Sequence, residues 1–168
     1  KGDMRNLLHY LEEYREDVEN RRAKPLCGHR AVNSILSVYA RQAKEKEIAV
    51  NIDVGVSPNT AIRDIDWVAI LANVFENAIH GCSNSGKKDQ EIDIYIAKKR
   101  NKIIIQCTNT CASDIRFQKG IPKSSSGEGI GTSSIIKTVS RYNGEVDFAI
   151  EDGKFVTRIL LNLPERGI

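Results

Sequence analysis

No stretch of the 168-residue chain approaches the roughly 18 consecutive apolar residues needed to cross a bilayer, and no secretory signal is visible. A dominant charge is also missing. The 25 Lys and Arg face 22 Asp and Glu, for a net charge of +3, and the signs alternate, as in Arg41-Gln-Ala-Lys44-Glu45-Lys46-Glu47. A nucleic-acid footprint needs basic side chains gathered on one face, so nucleic acid is not an expected partner. The densest basic cluster, Lys98, Lys99, Arg100 and Lys102, lies between two strand-like runs and reads as a solvated hairpin turn. The four cysteines, Cys27, Cys82, Cys107 and Cys111, form no C-x-x-C pair. That spacing speaks for free thiols in a reducing, cytoplasmic compartment and against a cysteine metal centre. The chain begins at Lys1 without an initiator methionine and is expected to be part of a longer protein.

What the chain does contain is an ordinary globular composition, 40% apolar and 28% charged, enough for one compact domain with a small appendage. Asp3 can cap a helix reaching about Arg22, with Leu7, Leu8, Leu11, Tyr14 and Val18 on one stripe. After Pro25 and Gly28, Ala31, Ile35, Leu36, Val38, Tyr39 and Ala43 mark a second helix ending near Lys46. Ile48, Val50, Ile52 and Val54 alternate with polar or small residues as in a half-buried strand. A third helix is expected from about Asp66 to Cys82, burying Trp67, Ile70, Leu71, Val74, Phe75, Ala78 and Ile79. Two strands, Ile92 to Lys98 and Lys102 to Thr108, form a hairpin across the basic turn. Residues 109–126 show no steady period and read as a long loop, of the kind that is functional or mobile. A helix with Ile135, Ile136, Val139 and Tyr142 follows, then two strands turned at Glu151-Asp-Gly153 and ending at Leu163. Segregated helices and a hairpin-built sheet predict an α+β two-layer sandwich.

Two segments carry chemistry. On the third helix, Asn73, Glu76, Asn77 and His80 form a polar stripe, and the two asparagines, at i and i+4, lie one above the other. Carboxamides so placed face one cleft. The second segment, Gly127-Glu-Gly129-Ile-Gly131-Thr132, leads into a helix. Alternate glycines free backbone N–H groups for an anion, and a helix N-terminus adds partial positive charge, so phosphate is the natural guest. No strand precedes these glycines as a Rossmann site requires, and the Gly-Lys-Ser/Thr ending of a P-loop is absent.

Together these segments resemble the ATP-binding domain of the GHKL superfamily, which unites DNA gyrase, the heat-shock chaperone, histidine kinases and the mismatch-repair ATPase. Asn73 to Cys82 looks like its N box, and Gly127 to Gly131 looks like its second glycine box at the end of the ATP lid. The resemblance covers nearly everything from Cys27 to Pro164. It implies a Bergerat-type fold, a mixed sheet backed by three helices, with nucleotide between the N-box helix and the lid. It further implies that Asn77 binds Mg²⁺ bridging the ATP phosphates and that Asn73 assists phosphate or metal. Hydrolysing members carry a glutamate base where this chain has Asn73. Without a base, water is a poor nucleophile, and ATP can wait for a histidine. The details therefore favour a sensor histidine kinase. His80 takes the place of a basic residue near the phosphates, and Lys123 is the nearest replacement for a lysine before the glycines, where Ser124-Ser-Ser126 stands. Glu76 either orients a water or is simply solvated, and Thr132 completes the glycine box.

The branch is narrowed by Thr108-Asn109-Thr110-Cys111-Ala112, where relatives carry an Asp-x-Gly-x-Gly box for adenine. An asparagine there is similar to the peptide-sensing quorum kinases, whose response regulators often carry a LytTR domain. Asn109 can still meet an adenine edge. Residues 1–24 look like the second helix of a dimerisation hairpin, and 25–168 like the catalytic domain. The phosphoaccepting histidine would then lie on a helix outside this chain, in a full-length homodimer anchored in a membrane. His9 and His29 are in no phosphoacceptor context. The alternatives are a serine kinase of the anti-sigma-factor type, against which the N-terminal stripe speaks, and a degenerate nucleotide-binding or interaction module.

Overall fold

The computed structural model describes residues 25–123 and 130–164. The expected helix before Arg22, the serines 124–126, Gly127 and Gly129 lie outside the described residues. Helix α1 spans Arg30–Glu45 and presents Val32, Leu36, Tyr39 and Ala43 as one buried stripe, the spacing that a period of 3.6 demands. His29 caps it, its Nδ1 accepting the Val32 N–H at 3.4 Å. Strand β1 (Ala49–Gly55) leads to helix α2 (Asp64–Ser83), whose first turn holds Asp64 and Asp66, favourably placed toward the positive end of the helix dipole.

Strands β2 (Glu91–Lys99) and β3 (Lys102–Thr110) form the expected hairpin, with Lys99 opposite Lys102. The segment expected to be a loop contains a short hairpin, β4 (Arg116–Gln118) and β5 (Ile121–Lys123). Lys119 and Gly120 turn it with φ of 52° and 75°, the left-handed pair that a two-residue hairpin turn requires. Helix α3 (Ile130–Ser140) then precedes β6 (Glu145–Glu151) and β7 (Lys154–Asn162). It ends at Ser140, so Tyr142 belongs to the turn beyond rather than to the helix.

The five-stranded sheet has the order β1-β2-β3-β7-β6. Only β1 and β2 run parallel, and the other neighbours are antiparallel, so the sheet is mixed as expected. Period two sends Ile92, Ile94 and Ile96 of β2, Ile103, Ile105 and Cys107 of β3, and Ile159 and Leu161 of β7 into one core. Trp67, Ile70, Leu71, Val74, Phe75, Ala78 and Ile79 of α2 meet them there, as the periodicity predicts. Helices cover one face of the sheet, and the other shows polar rows such as Tyr95, Gln106, Arg158 and Asp147 in register. This is the two-layer α+β sandwich.

Candidate nucleotide site

Helices α2 and α3 lie side by side and antiparallel. Gly131 and Ser134, early in α3, meet Asn77 and Asn73, while Arg141 and Tyr142 beyond its end meet Asp66. The polar stripe of α2 therefore looks at α3. Gly131 explains how close the helices come: a Cβ there would stand 3.1 Å from the Oδ1 atoms of both Asn73 and Asn77. A side chain there would press on both carboxamides and push them back by a few tenths of an ångström.

The two asparagines are not equivalent. Asn73 Nδ2 donates to Ala69 O at 2.6 Å and to Ser134 Oγ at 3.3 Å, so its amide bridges the helices. Among the described residues no hydrogen bond takes up the half-buried Asn77 carboxamide, which lies at the N-terminal end of α3. The N-terminus of a helix carries backbone N–H groups without intrahelical partners and a partial positive charge. A hard cation prefers oxygen ligands and keeps waters and phosphates in its shell, so a carboxamide oxygen beside a helix end is of a kind that could hold Mg²⁺. Among the described residues no three His, Cys, Asp or Glu side chains gather as a metal site.

One helical turn beyond Asn77, Gly81 touches Asn109. A Cβ on Gly81 would fall 2.7 Å from Asn109 Nδ2. Asn109 is 2% exposed and donates to Thr110 O at 2.8 Å. This contact leaves its Oδ1 as an acceptor. Asn77 and Asn109 thus mark two points about 6 Å apart along α2, by its rise of 1.5 Å per residue.

The other expected site residues have varied surroundings. Glu76 is turned toward α1, where its Oε1 accepts the Tyr39 hydroxyl at 2.5 Å. His80 is exposed and pairs with Asn84 Nδ2 at 2.8 Å at the end of α2. Thr132 is buried within α3. Lys123 is exposed at the end of β5, opposite Arg116. His29 is buried, tilted against Trp67 with centroids 5.8 Å apart. Cys82, Cys107 and Cys111 are free and buried, and burial pushes each thiol up, away from thiolate chemistry. A concavity of about 460 Å³ on the open sheet face, lined by Asn51, Asp53, Asp93 and Tyr95 among others, includes none of these groups.

Asp66 is the polar residue that sequence reasoning missed. It is 2% exposed, yet both carboxylate oxygens are filled by Arg63, Arg141 and Tyr142. Arg63 foremost, with Tyr142 and Arg141, holds its carboxyl below the usual aspartate value against the opposing pull of burial. Its sequence signal is weak, since an aspartate in a first helical turn is ordinarily solvated.

The family profile described as the GHKL domain matches residues 62–162, from just before α2 to the end of β7. No curated protein sequence matches the chain. Among solved structures, the catalytic domain of histidine kinase ThkA superposes with a TM-score of 0.65 at 12% identity, covering 80% of this chain and 93% of that one. Histidine kinase AdeS of Acinetobacter baumannii gives 0.64 at 14% identity, covering 96% and 81%. A mycobacterial sensor histidine kinase, MprB, gives 0.58 at 14%, covering 80% and 95%. At such identities these likenesses speak for the fold.

Proposed function

Because the chain belongs to the GHKL domain family, we propose that residues 25–168 form the ATP-binding catalytic domain of a sensor histidine kinase. The domain delivers the ATP γ-phosphate to a histidine outside this chain. The observation that carries the reading is the contact of Gly131, at the N-terminus of α3, with the Asn77 carboxamide. Phosphate sits at that helix end, where backbone N–H groups and the dipole favour it. Asn77 Oδ1 holds Mg²⁺, which when bound neutralises charge on the phosphates. Asn73 keeps the two helices in register, and an amide cannot take a proton from water, so the site lacks a base where hydrolysing relatives have one. ATP is consequently protected until a histidine arrives. Asn109, its Nδ2 fixed by Thr110 O, offers Oδ1 to the adenine amino group. A neutral acceptor is weaker than a carboxylate, so affinity for ATP is modest.

Residues 1–24 are, in this reading, the second helix of a dimerisation hairpin. The full protein is a membrane-anchored homodimer with its catalytic part in the cytoplasm, and it signals to a response regulator of the LytTR type. Asn109 in place of an Asp-x-Gly-x-Gly box supports the quorum-sensing branch. Among the described residues no helix is long and apolar enough to cross a membrane.

Calorimetric titration with a non-hydrolysable ATP analogue, with and without Mg²⁺, tests the proposal. Mg²⁺-dependent binding that is lost in Asn77→Ala, with the far-UV spectrum unchanged, is the expected result. Absence of binding at millimolar analogue would sink it, and Mg²⁺-dependent affinity retained in Asn77→Ala would remove the metal assignment.

A further inference from the structure

A buried carboxylate is costly unless it is paired and hydrogen-bonded, and Asp66 is saturated. Its Oδ1 accepts from Arg141 Nη1 at 2.9 Å and Arg63 Nη2 at 3.1 Å; its Oδ2 accepts from Arg63 Nε at 2.8 Å and the Tyr142 hydroxyl at 2.5 Å. The Tyr142 hydroxyl also accepts the backbone N–H of Arg63, the residue that caps α2, at 3.2 Å. Arg63 is local, whereas Arg141 and Tyr142 come from the turn after α3. The same turn is tied to the sheet: Asn162 donates its backbone N–H to Tyr142 O at 3.2 Å and its Nδ2 to Asn143 O. Gly144 follows with its Cβ position only 2.2 Å from Leu160 O, so the backbone there is pressed onto β7.

The other end of α3 is held differently. Among the described residues its side-chain link to α2 is the single Asn73–Ser134 hydrogen bond at 3.3 Å, beside the van der Waals seat of Gly131. Eleven residues of helix make a rod about 16 Å long that Ile135 and Val139 seat in the core, so the rod moves as one piece, and a tilt of about 4° about its Asp66 end displaces Gly131 by about 1 Å. Phosphate and metal geometry are sensitive to displacements of that size.

We propose that Asp66, Arg141 and Tyr142 form the pivot that sets the N-terminus of α3 against Asn77. They are positioning residues: they touch no nucleotide and act through the angle of α3. What the pivot serves rests on the phosphate-site reading above, while the pivot itself is a property of the protein without ligand.

The test removes one arm at a time from the 168-residue chain, in Tyr142→Phe and in Arg141→Gln. Arg158→Gln is the control, since it deletes ion pairs to Asp147 and Glu151 on the opposite sheet face. Nuclear magnetic resonance of the unliganded protein follows the Gly131 amide and the Asn77 side-chain NH2 signals, and calorimetry follows the affinity for the Mg²⁺–ATP analogue. Both pivot variants should shift the Gly131 and Asn77 signals and weaken binding by about threefold to tenfold, toward the lower end of coupling within one network; the control should do neither. Signals left in place, or affinity unchanged while only the melting temperature falls, would reduce the cluster to ordinary packing and overturn the proposal. If the parent chain binds no analogue, the ATP reading fails by itself, and the Gly131 and Asn77 signals still decide whether the pivot exists. Should Tyr142→Phe fail to fold, Arg141→Gln carries the test, its guanidinium side chain being half exposed.

Discussion

The two ends of the α2–α3 pair are built from opposite materials. At the Asp66 end, one carboxylate is enclosed by two guanidinium groups and a phenol, and every lone pair facing the protein is used. At the Asn77 end, two neutral carboxamides meet a glycine, and one of them is left unspent among the described residues. In a helix pair whose facing stripe is polar throughout, the two kinds of end part by whether their polar groups are satisfied within the protein. A satisfied charge is an anchor. A half-buried neutral amide without a protein partner at the end of a helix is, in the reading proposed above, the place left for a ligand.

The comparison breaks most visibly if Asp66 can be removed cheaply. Asp66→Ala deletes a buried carboxylate and its hydrogen bonds but leaves Arg63 and Arg141 with access to water, and should lower unfolding stability by about 2–3 kcal/mol. Asn77→Ala should change it by no more than about 0.5 kcal/mol. Urea denaturation of the two variants measures both, and equal losses would mean that the two ends do the same work. Gly144→Ala comes next. Its added methyl would collide with Leu160 O at 2.2 Å and Val139 Cγ1 at 2.6 Å, and forced overpacking of this kind costs about 1–3 kcal/mol. A neutral outcome would show that the turn after α3 is not pinned to β7.

Acidity sharpens the same contrast. The Asp66 carboxyl is held below its ordinary value in the folded protein, so the unfolded chain binds its proton more readily than the folded one. The stability this supplies is present above the unfolded value of about 3.9 and is lost as pH falls below it through the lower folded value. Asn77 and Gly131 have nothing to titrate. Stability measured between about pH 5 and about pH 3 should therefore fall less steeply in Asp66→Asn than in the parent, whose unfolded chain takes up a proton that the folded Asp66 still refuses. Parallel curves would refute the assignment.

Much of this architecture was legible from residue spacing. The apolar period of α2 named its buried face, the alternation from Ile48 to Val54 named β1, and the basic turn named the β2–β3 hairpin. The asparagine pair was legible as well, though not the division of labour within it, because that depends on Ser134 approaching from 61 residues away. Asp66 was invisible for the same reason: Arg141 and Tyr142 lie 75 and 76 residues further along the chain. No local pattern marks a carboxylate as buried when its partners arrive by tertiary contact. The β4–β5 hairpin escaped because strands of three residues are too short to display a period, although the Lys119-Gly120 turn was there to be read. The insertion of β7 between β3 and β6 is a matter of topology that strand patterns alone do not encode.

The smallest effect tests where the site stops. Glu76 precedes Asn77 in sequence, but the helix turns it about 100° away, and the Tyr39 hydroxyl claims it. Tyr39 stacks on Phe75 with centroids 5.6 Å apart; burial first, and then Glu76, push its hydroxyl up to about 12. Tyr39→Phe keeps the stack and deletes only the hydrogen bond, so stability should drop by about 1 kcal/mol. In the parent, that contribution is present below the unfolded tyrosine value of about 10 and is lost as pH rises through the folded one, a feature that Tyr39→Phe should lack. Affinity for the Mg²⁺–ATP analogue should be the same in both proteins, because a carboxylate engaged by α1 is outside the phosphate end. Were Tyr39→Phe to alter that affinity, the boundary drawn between Glu76 and Asn77 would be wrong, and the ligand end of the pair would extend across α2 to α1.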